Sequence, residues 1–213
     1  LTENGKWKYT LTVTANPEWI NDTEREFPVK IDPTVLANPE KENIIDTFIM
    51  DGVDYSSLTY MIVGDFMQYN NVPGFVKFNS MPNISAGNVL LNAKFTMFLC
   101  GIENYDGINF SLGVYEADSV WDQNSAQELD PDKSYYVGDV LDNVPVLEEG
   151  EYVWEITTLY KKWENGNINN GICIKTTNLS ASNEVGVRIV TAEHSEPVMR
   201  PNLEITYTSP IGL

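Results

Sequence analysis

The chain has 213 residues and a formal net charge of −18, from 31 acidic and 13 basic residues. This length suits one domain with a full hydrophobic core, alone or with a fragment of a second domain. The acidic excess argues against a nucleic-acid partner or an anionic membrane, because both require a basic surface. No run approaches the ~20 apolar residues of a membrane-spanning helix, so membrane insertion is not predicted.

The first elements in chain order are two strands. Lys6–Thr14 alternates strictly, with Trp7 on the apolar face, and Phe27–Ile31 is a second, shorter strand before Asp32-Pro33. We interpret residues 1–33 as a β-hairpin left from a preceding module. Residues 34–43 are polar and interrupted by proline, which predicts a linker at the start of a second domain spanning 34–213.

The rest of the chain is a series of short apolar runs separated by turn residues. Spacing of this kind is typical of an all-β protein, and we predict an antiparallel β-sandwich with jelly-roll or Greek-key connections. The predicted strands are Ile44–Met50, Tyr60–Val63, Gly74–Asn79, Val89–Cys100, Asn109–Ala117, Tyr152–Ile156, Gly171–Lys175, Gly186–Thr191 and Asn202–Thr208.

The single predicted helix lies near 157–164. Leu159 and Trp163 are four residues apart, so both can contact the same core, and Thr157 or Thr158 can cap the first turn. On the preceding strand, Trp154 lies on the alternating apolar face with its second neighbours. Asn and Gly residues then end the helix before the next strand.

The longest irregular stretch is Glu116–Gly150, and long loops in compact domains are often functional. It contains Trp121, Tyr135 and Tyr136, whose rings could stack on the apolar face of a sugar. These three are the candidate ligand-binding residues, for a predicted glycan. Packing of the same rings into the core is the structural alternative.

Acidic residues cluster around Asp51-Gly-Val-Asp54, with Asp46 shortly before. Calcium binds six to eight oxygen ligands, largely from carboxylates and loop carbonyls. We therefore predict a structural Ca²⁺ near Asp46, Asp51 and Asp54, while solvated loop acids remain the alternative reading. No other cofactor is predicted.

No catalytic constellation is visible in the sequence. His194 is the one histidine, and Ser195 points the other way if the segment is extended. The two cysteines, Cys100 and Cys173, lack metal-ligand spacing and are expected to be free thiols, although their pairing stays open. We therefore predict no catalytic residues and no enzyme activity.

Several of these stretches, taken in order, resemble the DNRLRE-type domain, a bacterial extracellular β-sandwich. The turn after Trp121 departs from that pattern because a second tryptophan-bearing strand is missing. Residues Glu18–Asp22 and Arg25–Pro33 resemble the segment that precedes such domains in Rhs/YD-repeat wall-associated proteins. The resembling stretches cover residues 44–208 and are Ile44–Ile49, Met61–Gly64, Gly74–Asn79 with Met81-Pro82, Val89–Met97, Val114–Trp121, the strand–helix–strand block Glu151–Lys175, Ala192–Pro197 and Arg200–Tyr207.

The resemblance implies an extracellular or cell-surface location and neighbouring domains in the same polypeptide. Together with the missing catalytic motif, it predicts a non-catalytic accessory module that binds carbohydrate or acts as a structural spacer in a secreted or cell-wall protein. The alternatives are a polysaccharide lyase or hydrolase domain, and a shell or interaction segment of an Rhs-type toxin.

Overall fold

The computed structural model describes residues 2–3, 6–7, 34–37, 40–82, 87–104, 107–119, 121, 128–130, 132–178 and 185–208. The chain divides into two compact units, Leu1–Ile31 and Asp32–Leu213. In the first unit, β1 (Thr2–Glu3) pairs antiparallel with β2 (Lys6–Trp7). The remainder of the predicted hairpin, including the strand over 27–31, lies outside the described residues.

The second unit is an all-β antiparallel sandwich of two sheets, which confirms the predicted fold class. One sheet has five strands in the order β10-β9-β12-β7-β4. Neighbouring strands are antiparallel throughout this sheet. Its members are β4 (Ile44–Phe48), β7 (Gly74–Phe78), β9 (Ser111–Ala117), β10 (Tyr136–Pro145) and β12 (Ile172–Thr177).

The second sheet has seven strands and is organised around the 16-residue strand β8. Its β3 shows that four of the residues predicted as a linker pair instead with the last strand. Two 3-10 turns, Lys41–Asn43 and Pro197–Met199, flank the strands. The strands are β3 (Thr34–Ala37), β5 (Tyr60–Phe66), β6 (Tyr69–Val72), β8 (Val89–Asn104), β11 (Gly150–Glu155), β13 (Val185–Val190) and β14 (Asn202–Thr208).

Strand β8 is long enough to pair with three strands. Leu99 pairs with Gly150 of β11 and with Ile189 of β13, so these two strands lie on opposite sides of β8. Thr96 pairs with Val153 of β11 and with Asn202 of β14. Strands β13 and β14 therefore share one side of β8 and follow each other along it, with residues 191–201 between them.

The core lies between the two sheets, and helix α1 (Thr157–Glu164) forms where it was predicted. Leu159, Tyr160 and Trp163 are the buried residues of this helix. Neither threonine caps it: the hydroxyl of Thr157 accepts a hydrogen bond from the Ala93 N–H at 2.7 Å. None of the helices among the described residues is long and apolar enough to cross a membrane.

The edges of the two sheets are joined through a side chain. The Asp142 carboxylate of β10 accepts a hydrogen bond of 2.8 Å from the backbone N–H of Glu155, at the end of β11. A short turn connects the same two strands, so the five-stranded and seven-stranded sheets are held together on this side of the sandwich.

Candidate functional site

Those residues after β9 that the structure describes lie over the outer face of the five-stranded sheet and form a second, smaller apolar cluster with it. We name the described part of this segment, residues 121, 128–130 and 132–136, the outer layer. Tyr135 is buried in this cluster, while Trp121, Leu129 and Tyr136 pack against it. The sheet contributes Ile49, Phe75, Ala117, Cys173 and Tyr115. The five-stranded sheet is therefore covered by apolar side chains on both faces.

Trp121 is held by the sheet beneath it. Its ring stacks on Phe75 with centroids 5.1 Å apart, and its indole N–H donates a 2.8 Å hydrogen bond to the Asn170 carbonyl. Gly171 lies next to it at a φ of +89°, where a Cβ would be 2.6 Å from the Val76 carbonyl oxygen. A side chain is thus excluded at Gly171, which leaves room for the tryptophan ring.

The two tyrosines of the outer layer have different environments. Tyr135 is 5% exposed, packs edge-on against Phe75, and its hydroxyl accepts the Asp130 N–H at 3.0 Å. Tyr136 is half-buried, with its ring tilted against Tyr115 at a centroid distance of 4.4 Å. The structure thus brings the three predicted ligand residues onto one face, but commits Trp121 and Tyr135 to packing.

Lysine side chains lie among these rings. The Lys175 ammonium is 4.9 Å from the ring centroid of Tyr136, and the Lys133 ammonium is 5.4 Å from that of Tyr135. Neither lysine takes part in an ion pair found among the described residues. By contrast, Lys162 and Arg188 are each paired with a glutamate. The outer layer and the neighbouring strand β12 therefore combine aromatic rings with two lysines that form no ion pair in the described part of the chain.

The sequence reasoning missed this combination. Lys175 lies on β12, where it alternates with the buried Ile174, so it points to the outer face. Tyr115 pairs with Cys173 in the neighbouring strand, and Tyr136 belongs to β10. These residues are far apart in sequence, and only the register of the strands brings them together.

The three predicted calcium ligands each have protein partners. Asp51 accepts hydrogen bonds from the Tyr55 hydroxyl at 2.8 and 2.9 Å. Asp54 accepts one from the Ser56 N–H at 2.9 Å, and hydrogen bonds from Ser56 lower the pKa of Asp54. No group of three or more metal-ligating side chains occurs within the described residues. The calcium site remains a prediction.

Asp46 has the most perturbed carboxyl environment. It is 2% exposed on β4, facing the core with Phe48, and accepts a 2.7 Å hydrogen bond from the Ala192 N–H. Burial raises the pKa of Asp46 to about 7, the hydrogen bond from Ala192 lowers it, and the charge of Glu193 raises it. Because the side chain is enclosed, it can tie β4 to the segment after β13 but cannot reach a substrate.

His194 and the cysteines have local roles. The His194 ring Nδ1 accepts a hydrogen bond from the Glu196 N–H at 3.2 Å, and its carbonyl accepts one from Arg200 Nε at 2.8 Å. Cys100 and Cys173 are both free thiols. Burial raises the pKa of Cys173 to about 12. The Cys173 thiol is therefore protonated at neutral pH and lies under the outer layer.

Comparison with known proteins identifies similar sequences of named activity. No family model matches the chain. A "tRNA3(Ser)-specific nuclease WapA" of Bacillus spizizenii is 24% identical over 226 residues, which is 99% of this chain and 9% of that protein. A "tRNA nuclease WapA" of Bacillus subtilis is 24% identical over 228 residues, again 99% of this chain and 9% of that protein. The chain thus spans about a tenth of the length of these relatives.

These names contradict several predictions made from the sequence. The predicted function, a non-catalytic carbohydrate-binding or spacer module, is wrong, and so is the prediction that the protein is not an enzyme. The carbohydrate-binding and cell-wall descriptions are unsupported, and the exclusion of a nucleic-acid partner is likewise corrected. The physical reason is one of scale, because the charge and motifs of 213 residues do not decide what relatives about ten times as long bind or cleave.

Proposed function

We propose that this chain is a folded segment of a large nuclease that cleaves tRNA. The observation that carries the proposal is the extent of the similarity: the match to relatives named as tRNA nucleases runs through 99% of the chain. It therefore includes both sheets and the outer layer, and is not confined to one motif. Because the sandwich has its own hydrophobic core, such a segment can occur as one folded unit within larger proteins.

The electrostatics of the segment set a condition on this proposal. RNA binding is dominated by phosphate contacts from lysine and arginine, and a net charge of −18 opposes such contacts on average. The tRNA must then be engaged through local basic surfaces of this segment, through other parts of the nuclease, or through both. Lys133 of the outer layer and Lys175 of β12 are two cations that could make such contacts, each beside an aromatic ring, in a layer that also carries Glu128, Asp130 and Asp132.

The test is cleavage by the protein that contains this chain. The purified full-length protein is incubated with total tRNA, and with 5S ribosomal RNA and duplex DNA as controls, and the products are separated on denaturing gels. We expect discrete tRNA fragments with the control nucleic acids intact. If tRNA survives, or if all three substrates are degraded alike, the proposal fails.

One prediction from the resemblance to DNRLRE-type domains stands beside this proposal. We propose that the nuclease containing this chain functions outside the cell that makes it, which is the setting that the resemblance implies. Fractionation of the producing cells, with an antibody against the sandwich, tests this. Recovery of the protein only from the cytoplasm would contradict it.

A further inference from the structure

We propose that Tyr115, Tyr136 and Lys175, together named the tyrosine–lysine rim, form a contact site for an unpaired nucleotide of tRNA. This proposal rests on the proposed function, and it names the surface through which the segment would take part in that function. The site lies on the outer face of the five-stranded sheet, at the margin of the outer layer. A base of the RNA would stack on the two tyrosine rings, and a phosphate of the RNA would lie opposite the Lys175 ammonium group.

The two tyrosine rings already form the beginning of a stack. Their centroids are 4.4 Å apart, and both side chains are half-buried, so each ring is fixed while part of it remains in contact with solvent. Gly113 permits this arrangement, since a Cβ there would lie 3.2 Å from a ring carbon of Tyr115. Stacking of bases on aromatic side chains is tolerant of base identity, because every base has a π-face.

The charge at the rim suits a phosphate. Lys175 is in no ion pair found within the described parts of the chain, and its ammonium is 4.9 Å from the Tyr136 centroid. Burial, first of all, and the neighbouring Tyr136 and Cys173 raise the pKa of Tyr115. The Tyr115 hydroxyl therefore stays neutral under physiological conditions and adds no negative charge. In the outer layer, the Lys133 ammonium lies 5.4 Å from the ring centroid of Tyr135, the residue before Tyr136.

Direct binding tests the rim. The 213-residue chain is titrated with purified tRNA and with a short single-stranded RNA at several salt concentrations. Tyr136→Ala is expected to weaken binding by about tenfold, and Tyr136→Phe to bind like the native chain. Lys175→Gln is expected to reduce the slope of log affinity against log salt by about one. The matched control is Lys94→Gln, which alters a lysine paired with Glu204 on the other sheet and should leave the slope unchanged.

The outcomes separate this inference from the proposed function. The inference falls if the native chain binds neither RNA, or if folded Tyr136→Ala and Lys175→Gln proteins bind like native. Should Tyr136→Ala not fold, the salt slope of Lys175→Gln decides. Binding of an acidic peptide in place of RNA would also overturn it. Cleavage of tRNA by the full-length nuclease with unchanged kinetics in both variants would leave the proposed function standing without the rim.

Discussion

The indole N–H of Trp154 donates a 2.9 Å hydrogen bond to the Leu112 carbonyl oxygen, and this bond connects the two sheets across the core. Trp154 is fully buried on β11, stacked on Phe95 at a centroid distance of 5.6 Å, while Leu112 lies on β9. The tryptophan therefore both fills the space between the sheets and fixes their relative position.

Replacing Trp154 tests this relationship. Trp154→Ala is expected to lower the free energy of unfolding by about 3–5 kcal/mol, as other large-to-small core substitutions do. The cost combines lost burial, a cavity and an unpaired carbonyl. Urea unfolding followed by circular dichroism measures it. A loss below about 1 kcal/mol, well under the usual range, would mean that the sheets do not depend on this side chain.

Trp163 provides a matched control within the same experiment. It is also buried, but its indole nitrogen has no hydrogen-bond partner among the described residues. Trp154→Phe removes a made hydrogen bond, whereas Trp163→Phe removes a buried donor that is already unsatisfied. Trp154→Phe should therefore lower the free energy of unfolding by more than Trp163→Phe does. Equal costs would show that the bond to Leu112 contributes little.

The burial of Asp46 predicts a pH dependence of stability. Its pKa rises from 3.8 to about 7 on folding, so the folded chain holds this proton more tightly than the unfolded chain does. The resulting stabilisation is fully present below about pH 4, and is lost as the pH rises through about 7. Asp46→Asn keeps a similar shape without the ionisation, so its stability relative to the native chain should increase between about pH 4 and about pH 8.

The measurement is urea unfolding of both proteins from about pH 4 to about pH 8, with the difference between them plotted against pH. Taking the difference cancels the titration of all other groups that the two proteins share. A constant difference across this range would contradict the assignment of an elevated pKa to Asp46.

Alanine substitutions at two glycines with positive φ allow the effect of backbone strain to be distinguished from that of a steric clash. Gly64 has a φ of +103°, and a Cβ there would lie 2.5 Å from the Val185 carbonyl oxygen. Gly138 has a φ of +74° with nothing within 4 Å of the added atom. Gly138→Ala should lower the free energy of unfolding only by the conformational strain, about 1–3 kcal/mol. Gly64→Ala should lower it by clearly more, because the added Cβ also meets the Val185 carbonyl. Thermal melts of the two variants give the comparison, and similar melting temperatures would count against the close approach at Gly64.

The cysteines report on the outer layer. Cys100 is exposed, whereas Cys173 is fully buried beneath the layer, beside Phe75 in the strand register. In the native protein we expect one thiol to react promptly with a chromogenic disulfide reagent, and the second only when the layer opens. Trp121→Ala removes the ring stacked on Phe75, and should therefore speed the second reaction. Equal reaction rates for the two thiols in the native chain would rule out this burial.

The spacing of apolar residues predicted those strands and the helix that have one buried face and one exposed face. Tyr152, Trp154 and Ile156 alternate with exposed residues, and all three are buried on the inner face as the spacing indicates. The helix near 157–164 was predicted for the same reason, since Leu159 and Trp163 share one face. In such segments a single periodicity states which side faces the core.

The outer layer could not be derived in this way. Phe75-Val76 and Ile172-Cys173-Ile174 are consecutive buried residues, a pattern that arises when both faces of a sheet are covered. That signal was present in the sequence, but it does not say which segment provides the cover. The tyrosine–lysine rim depends on strand register across β9, β10 and β12, which short-range spacing does not contain.

The hydrogen bond between Asp142 and Glu155 also bears on self-association. Strands at the border of a sheet expose backbone donors on which a strand from another molecule can assemble. At the end of β11 that donor is already bound by the Asp142 carboxylate, and the same carboxylate would repel an approaching carbonyl or acidic side chain. A bond that closes the sandwich within one molecule thus also hinders a second copy from extending the sheet at this position.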